Sequence, residues 1–177
     1  MKKSLLLLAL SAGMCILLSS TDFEAMPPPA GADLSPFIMT GSFCAPLSDA
    51  GVTDQFGWRF HPQELCLDFH SGIDLSAESG TPIRAFMSGT ADIAGTHESY
   101  GKYIRIDHGN GFFTLYAHCS KLLIRKGETV RIGQCIAKVG QTGQATGPHL
   151  HFEMIMNSTR LDPLWALGDI PAIQETL

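Results

Sequence analysis

The chain has 177 residues, of which 12 are Lys or Arg and 17 are Asp or Glu, so its formal net charge is −5. This acidic balance, without any basic run, argues against a nucleic-acid-binding function. The length is sufficient for one domain with a substantial hydrophobic core.

The first twenty residues have the pattern of an export signal. Lys2 and Lys3 precede an apolar run from Leu5 to Leu18, and small polar residues follow at Ser19 and Ser20. The run is too short and too weakly flanked to predict a membrane span, so the mature chain should have no stable one. A lipoprotein signal ending at Cys15 is the alternative, but the apolar run continues past this cysteine. We therefore expect export to the periplasm or the extracellular space.

Residues 21–36 are interpreted as a tether between the signal and the domain. They include three successive prolines, Pro27 to Pro29, which lack backbone donors and favour an extended, solvated chain. The domain is predicted over residues 37–177. Without residues 1–20 the chain keeps about 155 residues, and ten basic residues face seventeen acidic ones, a formal charge of −7.

The domain is predicted to be mainly antiparallel β-structure. Short runs rich in β-branched and aromatic residues are separated by Gly, Pro, Asn and Asp, and no long run shows the helical period of 3.6 residues. Eighteen glycines can provide tight corners between strands. The predicted strands are 81–86, 89–94, 103–106, 112–117, 129–133 and 135–140.

Two histidines near the end of the chain form the first candidate site. His149 and His151 alternate with Leu150, Phe152 and Met154, which is the pattern of a strand with one apolar face. Both imidazoles therefore share the other face, and together they can hold a metal ion. A chance pair on a solvated strand is the alternative interpretation.

His70 and Asp74 form a second candidate pair, with Gly72 between them. On an extended backbone, residues four apart lie on the same face and can bind one ion. Two imidazole nitrogens and one carboxylate oxygen, from His70, Asp74 and His151, would leave a fourth zinc position open, as in catalytic zinc sites.

Four motifs in this chain resemble those of the lysostaphin-type zinc metallopeptidases, the cell-wall endopeptidases that cut peptidoglycan peptides. They occur in the same order as in that family. The motifs are Phe-Gly-Trp-Arg-x-His-Pro at 56–62, His70-x-x-x-Asp74, Tyr116-x-His118 and His149-x-His151. The likeness covers about Val52 to Leu167, and four ordered motifs make it specific.

The resemblance implies a single antiparallel β domain with a substrate groove, the lysostaphin-like peptidase fold of the duplicated-hybrid-motif type. It implies one zinc ion per chain, bound by His70, Asp74 and His151, with His118 and His149 as the catalytic histidines. It also implies that the substrate is a peptidoglycan peptide, and we expect a monomer. The sequence does not indicate which peptide bond is cleaved, because loops around the groove decide that.

Two other functions are compatible with parts of this pattern. One is a non-catalytic, wall-associated regulator of other hydrolases on the same fold, but all five candidate site residues are retained. The other is a different metal enzyme with a paired-histidine strand, such as a cupin. The element Tyr116-x-His118 and the Gly-Pro turn before His149 argue against a cupin.

Four cysteines remain after the signal, which is compatible with two disulfides in an oxidising compartment. We expect Cys119 to pair with Cys135 and Cys44 with Cys66, since each pair is close in sequence. Free buried thiols are the alternative.

Overall fold

A computed structural model of the chain describes residues 5–9, 15–19, 26–37, 41–60 and 66–167. Sixteen strands and one helix lie in these residues. The strands are β1 Leu5–Ala9, β2 Cys15–Ser19, β3 Ala32–Asp33, β4 Val52–Asp54, β5 Gly57–Phe60, β6 Leu67–His70, β7 Ile73–Ser76, β8 Pro82–Arg84, β9 Gly89–His97, β10 Gly101–Asp107, β11 Phe112–Cys119, β12 Lys121–Leu122, β13 Thr129–Val130, β14 Cys135–Lys138, β15 His149–Met156 and β16 Thr159–Leu161; the helix, α1, is Leu164–Leu167.

The largest sheet has nine strands and is organised around β15. Its main order is β13-β9-β10-β11-β15-β16-β3. The first half of β15 also pairs with β7, which in turn pairs with β4. Three further sheets are β12-β14-β8, β5-β6 and β1-β2. The predicted antiparallel β fold is confirmed, with one exception: β3 runs parallel to β16.

One apolar cluster joins the nine-stranded sheet to the three-stranded sheet. Its members include Ile83 on β8, Phe86 shortly after that strand, Ile136 on β14, and Leu150 and Phe152 on β15. All five side chains have 0% exposure. The rings of Phe86 and Phe152 lie 5.8 Å apart. This burial holds the backbone of β15 in place, because close-packed interiors leave little room for movement.

The N-terminal parts of the predicted organisation are described only in part. Strands β1 and β2 lie within the predicted export signal and pair with each other, while residues 1–4, 10–14 and 20–25 are outside the described residues. Two residues of the predicted tether contact the domain. The carbonyl of Pro27 accepts a hydrogen bond from the indole Nε1 of Trp58 at 2.9 Å, and Ala32 on β3 pairs with Arg160 on β16. This segment therefore contacts the domain, and the domain boundary stays a prediction. In the described part of the chain, no helix combines the length and the apolar character needed to cross a membrane.

The predicted disulfides are wrong, since Cys44, Cys119 and Cys135 are free thiols. The register of β12 and β14 places Lys121 opposite Lys138. Cys119 and Cys135 therefore lie about five residues, or roughly 16 Å, apart along these strands, which is too far for a disulfide. Nearness in sequence did not bring the two side chains together.

Candidate metal centre and groove

Three strands and the turn before one of them bring the candidate metal ligands together. His151 lies on β15 and pairs in register with Asp74 on β7. His70 ends β6, and the chain passes from there through Gly72 into β7. Gly72 is required at this point, because a Cβ there would lie 2.3 Å from the carbonyl oxygen of Phe152. The close approach of the backbones puts Asp74 beside His151.

The ligand atoms of these three residues form a small triangle. His70 Nε2 lies 3.0 Å from His151 Nδ1, and Asp74 Oδ1 lies 2.9 Å from His151 Nδ1 and 3.2 Å from His70 Nε2. The exposed fractions of the three side chains are 4, 7 and 15% for His70, His151 and Asp74. His70 and Asp74 therefore lie close enough to bind one ion, but the chain between them bends at Gly72 and does not form the single extended segment that the sequence analysis assumed.

Hydrogen bonds on the far side of each ring decide which nitrogen faces the triangle with a lone pair. His70 Nδ1 lies 2.8 Å from the Gln55 carbonyl oxygen, which can only accept. His151 Nε2 lies 3.1 Å from Glu153 Oε1, which is also an acceptor. These bonds assign the hydrogens to those two nitrogens, so that two lone pairs and a carboxylate oxygen converge. Such a set is favourable only around a cation and fits a divalent metal.

The pKa values indicate the same preference for positive charge. Burial opposes a charge on His151, but its hydrogen bonds to Asp74 and Glu153 outweigh that and raise its pKa to about 9. Burial also disfavours an ionised Asp74, yet the hydrogen bonds of His151 and His70 keep the pKa of this carboxyl far below its usual range. The surroundings of His151 and Asp74 therefore favour a positive charge between these side chains.

His118 and His149 lie together beside the triangle. Their ring centroids are 4.7 Å apart, and His149 Nε2 is 3.7 Å from Asp74 Oδ2. His118 Nδ1 donates to the Thr142 carbonyl at 2.8 Å, and His149 Nδ1 donates to the Gly147 carbonyl at 2.9 Å. Both Nε2 atoms are therefore free of these backbone bonds and can accept or return a proton.

The direction of His118 depends on an irregularity near the end of β11. The register between β10 and β11 shifts after the pair of Ile104 and Tyr116, and the next pair is Lys102 with Cys119. His118 has a φ of 60°, the left-handed region that a residue other than glycine rarely adopts. A bulge of this kind redirects a side chain and is common beside active sites. Burial lowers the pKa of His118 to about 4.

A groove of about 730 Å³ contains all five candidate site residues. One wall carries Arg59, which forms ion pairs with Asp54 and Asp68. The groove is also lined by His97, Tyr100, Gln144 and Thr146. The groove is lined mainly by polar and charged side chains, which suits a peptide better than an apolar ligand.

The sequence analysis missed Glu153, which has 0% exposure and contacts His151. Three other residues donate to its carboxylate: Ser71, Tyr100 and Arg160. The period of two on β15 could have identified it, because Glu153 belongs to the same face as His149 and His151. Its three other partners lie on distant parts of the chain and leave no local pattern.

Comparison with known proteins adds an independent observation. Residues 68–163 match the model of the family described as peptidase family M23. A DD-carboxypeptidase/endopeptidase, Mpg, of Neisseria meningitidis serogroup B is 41% identical over 119 residues, covering 67% of this chain and 27% of that protein. The peptidoglycan DD-endopeptidase ShyA of Vibrio cholerae is 38% identical over 108 residues, covering 61% of this chain and 25% of that protein. The chain thus spans about a quarter of the length of these relatives.

A solved structure agrees with the fold. The catalytic domain of the antimicrobial peptidase lysostaphin from Staphylococcus simulans has a TM-score of 0.54 and 36% identity, over 56% of this chain and 79% of that domain. The structural match therefore includes the type of peptidase that the motifs indicated.

Proposed function

Because this chain belongs to peptidase family M23, we propose that it is a zinc metalloendopeptidase that hydrolyses peptide cross-links or bridges of bacterial cell-wall peptidoglycan. The observation that carries the proposal is the convergence of His70 Nε2, Asp74 Oδ1 and His151 Nδ1 within 3.2 Å, at the groove. Two further imidazoles, His118 and His149, lie beside them. A regulator without activity would not need this complete set.

Zinc is proposed as the metal because of the type and number of its ligands. Two imidazoles and one carboxylate are a common catalytic zinc set, in which the fourth position stays open. We propose one zinc ion per chain. When bound, zinc polarises a carbonyl and makes a water molecule acidic near neutral pH.

His118 and His149 are proposed to move the protons of the reaction. Amide hydrolysis needs a group that takes a proton from the attacking water and a group that returns one to the departing amine. Each of the two rings offers a free Nε2 and is oriented by a backbone carbonyl on its Nδ1 side. Asp74 Oδ2, 3.7 Å from His149 Nε2, would stabilise a proton held there. Protonated, either ring can also donate to the developing oxyanion.

Peptidoglycan is proposed as the substrate because the named relatives act on it or on D,D peptide bonds. The polar groove can hold an extended peptide across the metal centre. Such a substrate lies outside the cytoplasm, and the predicted export signal at residues 1–20 would take the enzyme to the periplasm or the extracellular space. We expect the mature enzyme to act as a monomer.

The test compares zinc content and hydrolysis rate in five alanine variants. His70→Ala, Asp74→Ala and His151→Ala should purify with little zinc, because each loses a ligand. His118→Ala and His149→Ala should keep near-stoichiometric zinc and lose about 10²-fold or more in rate. Mass spectrometry of muropeptides released from purified walls would identify the bond. Full activity of a metal-free preparation would overturn the proposal, as would loss of zinc in His149→Ala with retention in His151→Ala.

A further inference from the structure

Glu153 has a more complete set of hydrogen bonds than any metal ligand of the site. Its Oε1 accepts from Ser71 Oγ at 2.6 Å, from the Tyr100 hydroxyl at 2.7 Å and from His151 Nε2 at 3.1 Å. Its Oε2 accepts from Arg160 Nε at 3.0 Å. The side chain has 0% exposure. Four donors from four parts of the chain therefore surround one buried carboxylate.

The fold alone gives no reason for this carboxylate. A buried charge is unfavourable unless it is paired, and apolar residues of similar volume usually replace such a pair without loss of stability. Glu153 lies on the face of β15 opposite the core residues Phe152 and Met154 but is still fully buried, so an apolar residue there would serve stability at least as simply. The arrangement is better explained by what the carboxylate does to His151.

Glu153 does not act on the substrate directly. It does not line the groove, and it lies at the ring nitrogen of His151 that points away from Asp74 and His70. Glu153 is therefore neither a fourth ligand nor a general base. Its only contact with the triangle is through the imidazole of His151.

We propose that Glu153 is a positioning residue, which accepts the Nε2 hydrogen of His151 and so fixes Nδ1 as the atom that binds the metal. The inference rests on the proposed function, because it assumes that His151 is a ligand. A carboxylate behind a metal-binding histidine sets its tautomer and ring orientation and strengthens its bond to the metal. Ser71, Tyr100 and Arg160 hold the carboxylate in place. The other tautomer of His151, with its hydrogen on Nδ1, would turn an Nε2 lone pair toward Oε1, which can only accept, and would place a hydrogen where the metal should bind.

Tyr100 extends this arrangement to the groove. Its ring lies 5.9 Å from that of His151 at an angle of 30°, and the residue lines the groove while its hydroxyl contacts Glu153. The ring thus covers one side of the imidazole and the hydroxyl supports the carboxylate behind it. Both contacts limit rotation of His151.

The main variant is Glu153→Gln, which keeps the shape of the side chain. An amide nitrogen at either oxygen position would meet a donor, either Arg160 or the cluster of Ser71, Tyr100 and His151. Competition with a chromogenic chelator measures zinc affinity, and we expect a loss of about 10- to 100-fold. Ser71→Ala is the graded comparison, because it removes one of the donors that hold the carboxylate but keeps the acceptor for His151; it should lose less zinc affinity than Glu153→Gln.

Two further measurements separate positioning from a purely structural role. Nitrogen-15 NMR of the imidazoles should show a hydrogen on Nε2 of His151 in the zinc-loaded wild type, and cobalt substitution should give a visible spectrum that Glu153→Gln alters. A structural role would lower the stability to urea without changing either signal. Glu153→Asp, which keeps the carboxylate, should retain more zinc affinity than Glu153→Gln.

The outcomes distinguish this inference from the proposed function. If the wild type binds no zinc, the proposed function fails and this inference fails with it. If the wild type binds zinc and hydrolyses wall peptides, but folded Glu153→Gln has unchanged affinity, only the positioning role is refuted. A hydrogen on Nδ1 of His151 in the zinc-loaded wild type would refute it without any variant, which matters should Glu153→Gln fail to fold.

Discussion

At Gly72 the backbone passes close to β15, and Gly72→Ala tests whether that approach builds the site. An added Cβ would lie 2.3 Å from the Phe152 carbonyl oxygen and 3.0 Å from both the Phe152 carbonyl carbon and Glu153 Cγ. The first distance is about 1 Å short of an ordinary contact. Its neighbour is backbone in the middle of a paired strand, so no flexible side chain can move aside.

The magnitude follows from what the added methyl group must displace. Overpacking of a well-packed interior costs about 1–3 kcal/mol in the free energy of unfolding. Relief requires β7 to move away from β15, and this pair holds Asp74 opposite His151. A shift approaching ~1 Å in a catalytic arrangement costs about 10²-fold in rate. We therefore expect Gly72→Ala to lose about 1–3 kcal/mol of stability and about 10²-fold in hydrolysis, with weaker zinc binding.

Urea unfolding of the metal-free protein, zinc competition and the hydrolysis rate measure the three effects. Gly95→Ala on β9 is the matched control, because among the described residues, apart from its two chain neighbours, none has an atom within 4 Å of the added Cβ. Its stability should stay within about 0.5 kcal/mol of the wild type, with unchanged zinc affinity. If Gly72→Ala behaves like Gly95→Ala, the close approach does not position Asp74, and the reasoning is refuted.

Three more predictions concern positions away from the proposed metal ligands. Tyr116→Phe leaves the buried Phe86 amide, 2.8 Å from the lost hydroxyl, without a partner, and should cost about 1–3 kcal/mol by urea unfolding; a cost under about 0.5 kcal/mol would contradict this. Burial lowers the pKa of His108, so the unfolded chain binds a proton more readily than the folded chain. The contribution of His108 to the free energy of unfolding is fully present above pH about 6.5 and is lost as the pH falls below it. Between about pH 7 and pH 5, His108→Gln should therefore lose less stability than the wild type. Parallel curves of stability against pH for the two proteins would contradict this. Cys119 is fully buried, and burial raises its pKa to about 12, so iodoacetamide should label this residue only on unfolding. Labelling of Cys119 in the native protein at the rate of the unfolded protein would contradict this.

Where the candidate site depends on local alternation, the sequence was enough to predict it. The spacing of His149 and His151 among apolar residues predicted a strand with both rings on one face, and both line the groove. The separation of His70 and Asp74 predicted that their side chains could meet, and they lie 3.2 Å apart. The first prediction needs only the period of an extended chain. The second holds for a different reason, because the chain bends at Gly72 between β6 and β7 and brings the two side chains together.

What depends on contacts between distant segments could not be predicted. His118 points into the site because β11 has a bulge and a positive φ, and the sequence alone does not locate either. The set around Glu153 joins Ser71 after β6, Tyr100 before β10 and Arg160 on β16. The failure of the disulfide prediction has the same origin, because the register of β12 and β14 separates Cys119 from Cys135.

Strand β15 links the stability of the core to the geometry of the site. On one face, Leu150, Phe152 and Met154 have 0% exposure, and their packing fixes the strand. On the other face, His151 and Glu153 project from the same backbone. Strand β11 pairs with one edge of β15, and strands β7 and β16 pair with its other edge. Neither residue can adjust without moving a strand that the core holds. The atoms of the proposed metal ligands therefore remain close together before any metal binds, so that little binding free energy would be lost in reorganising the protein.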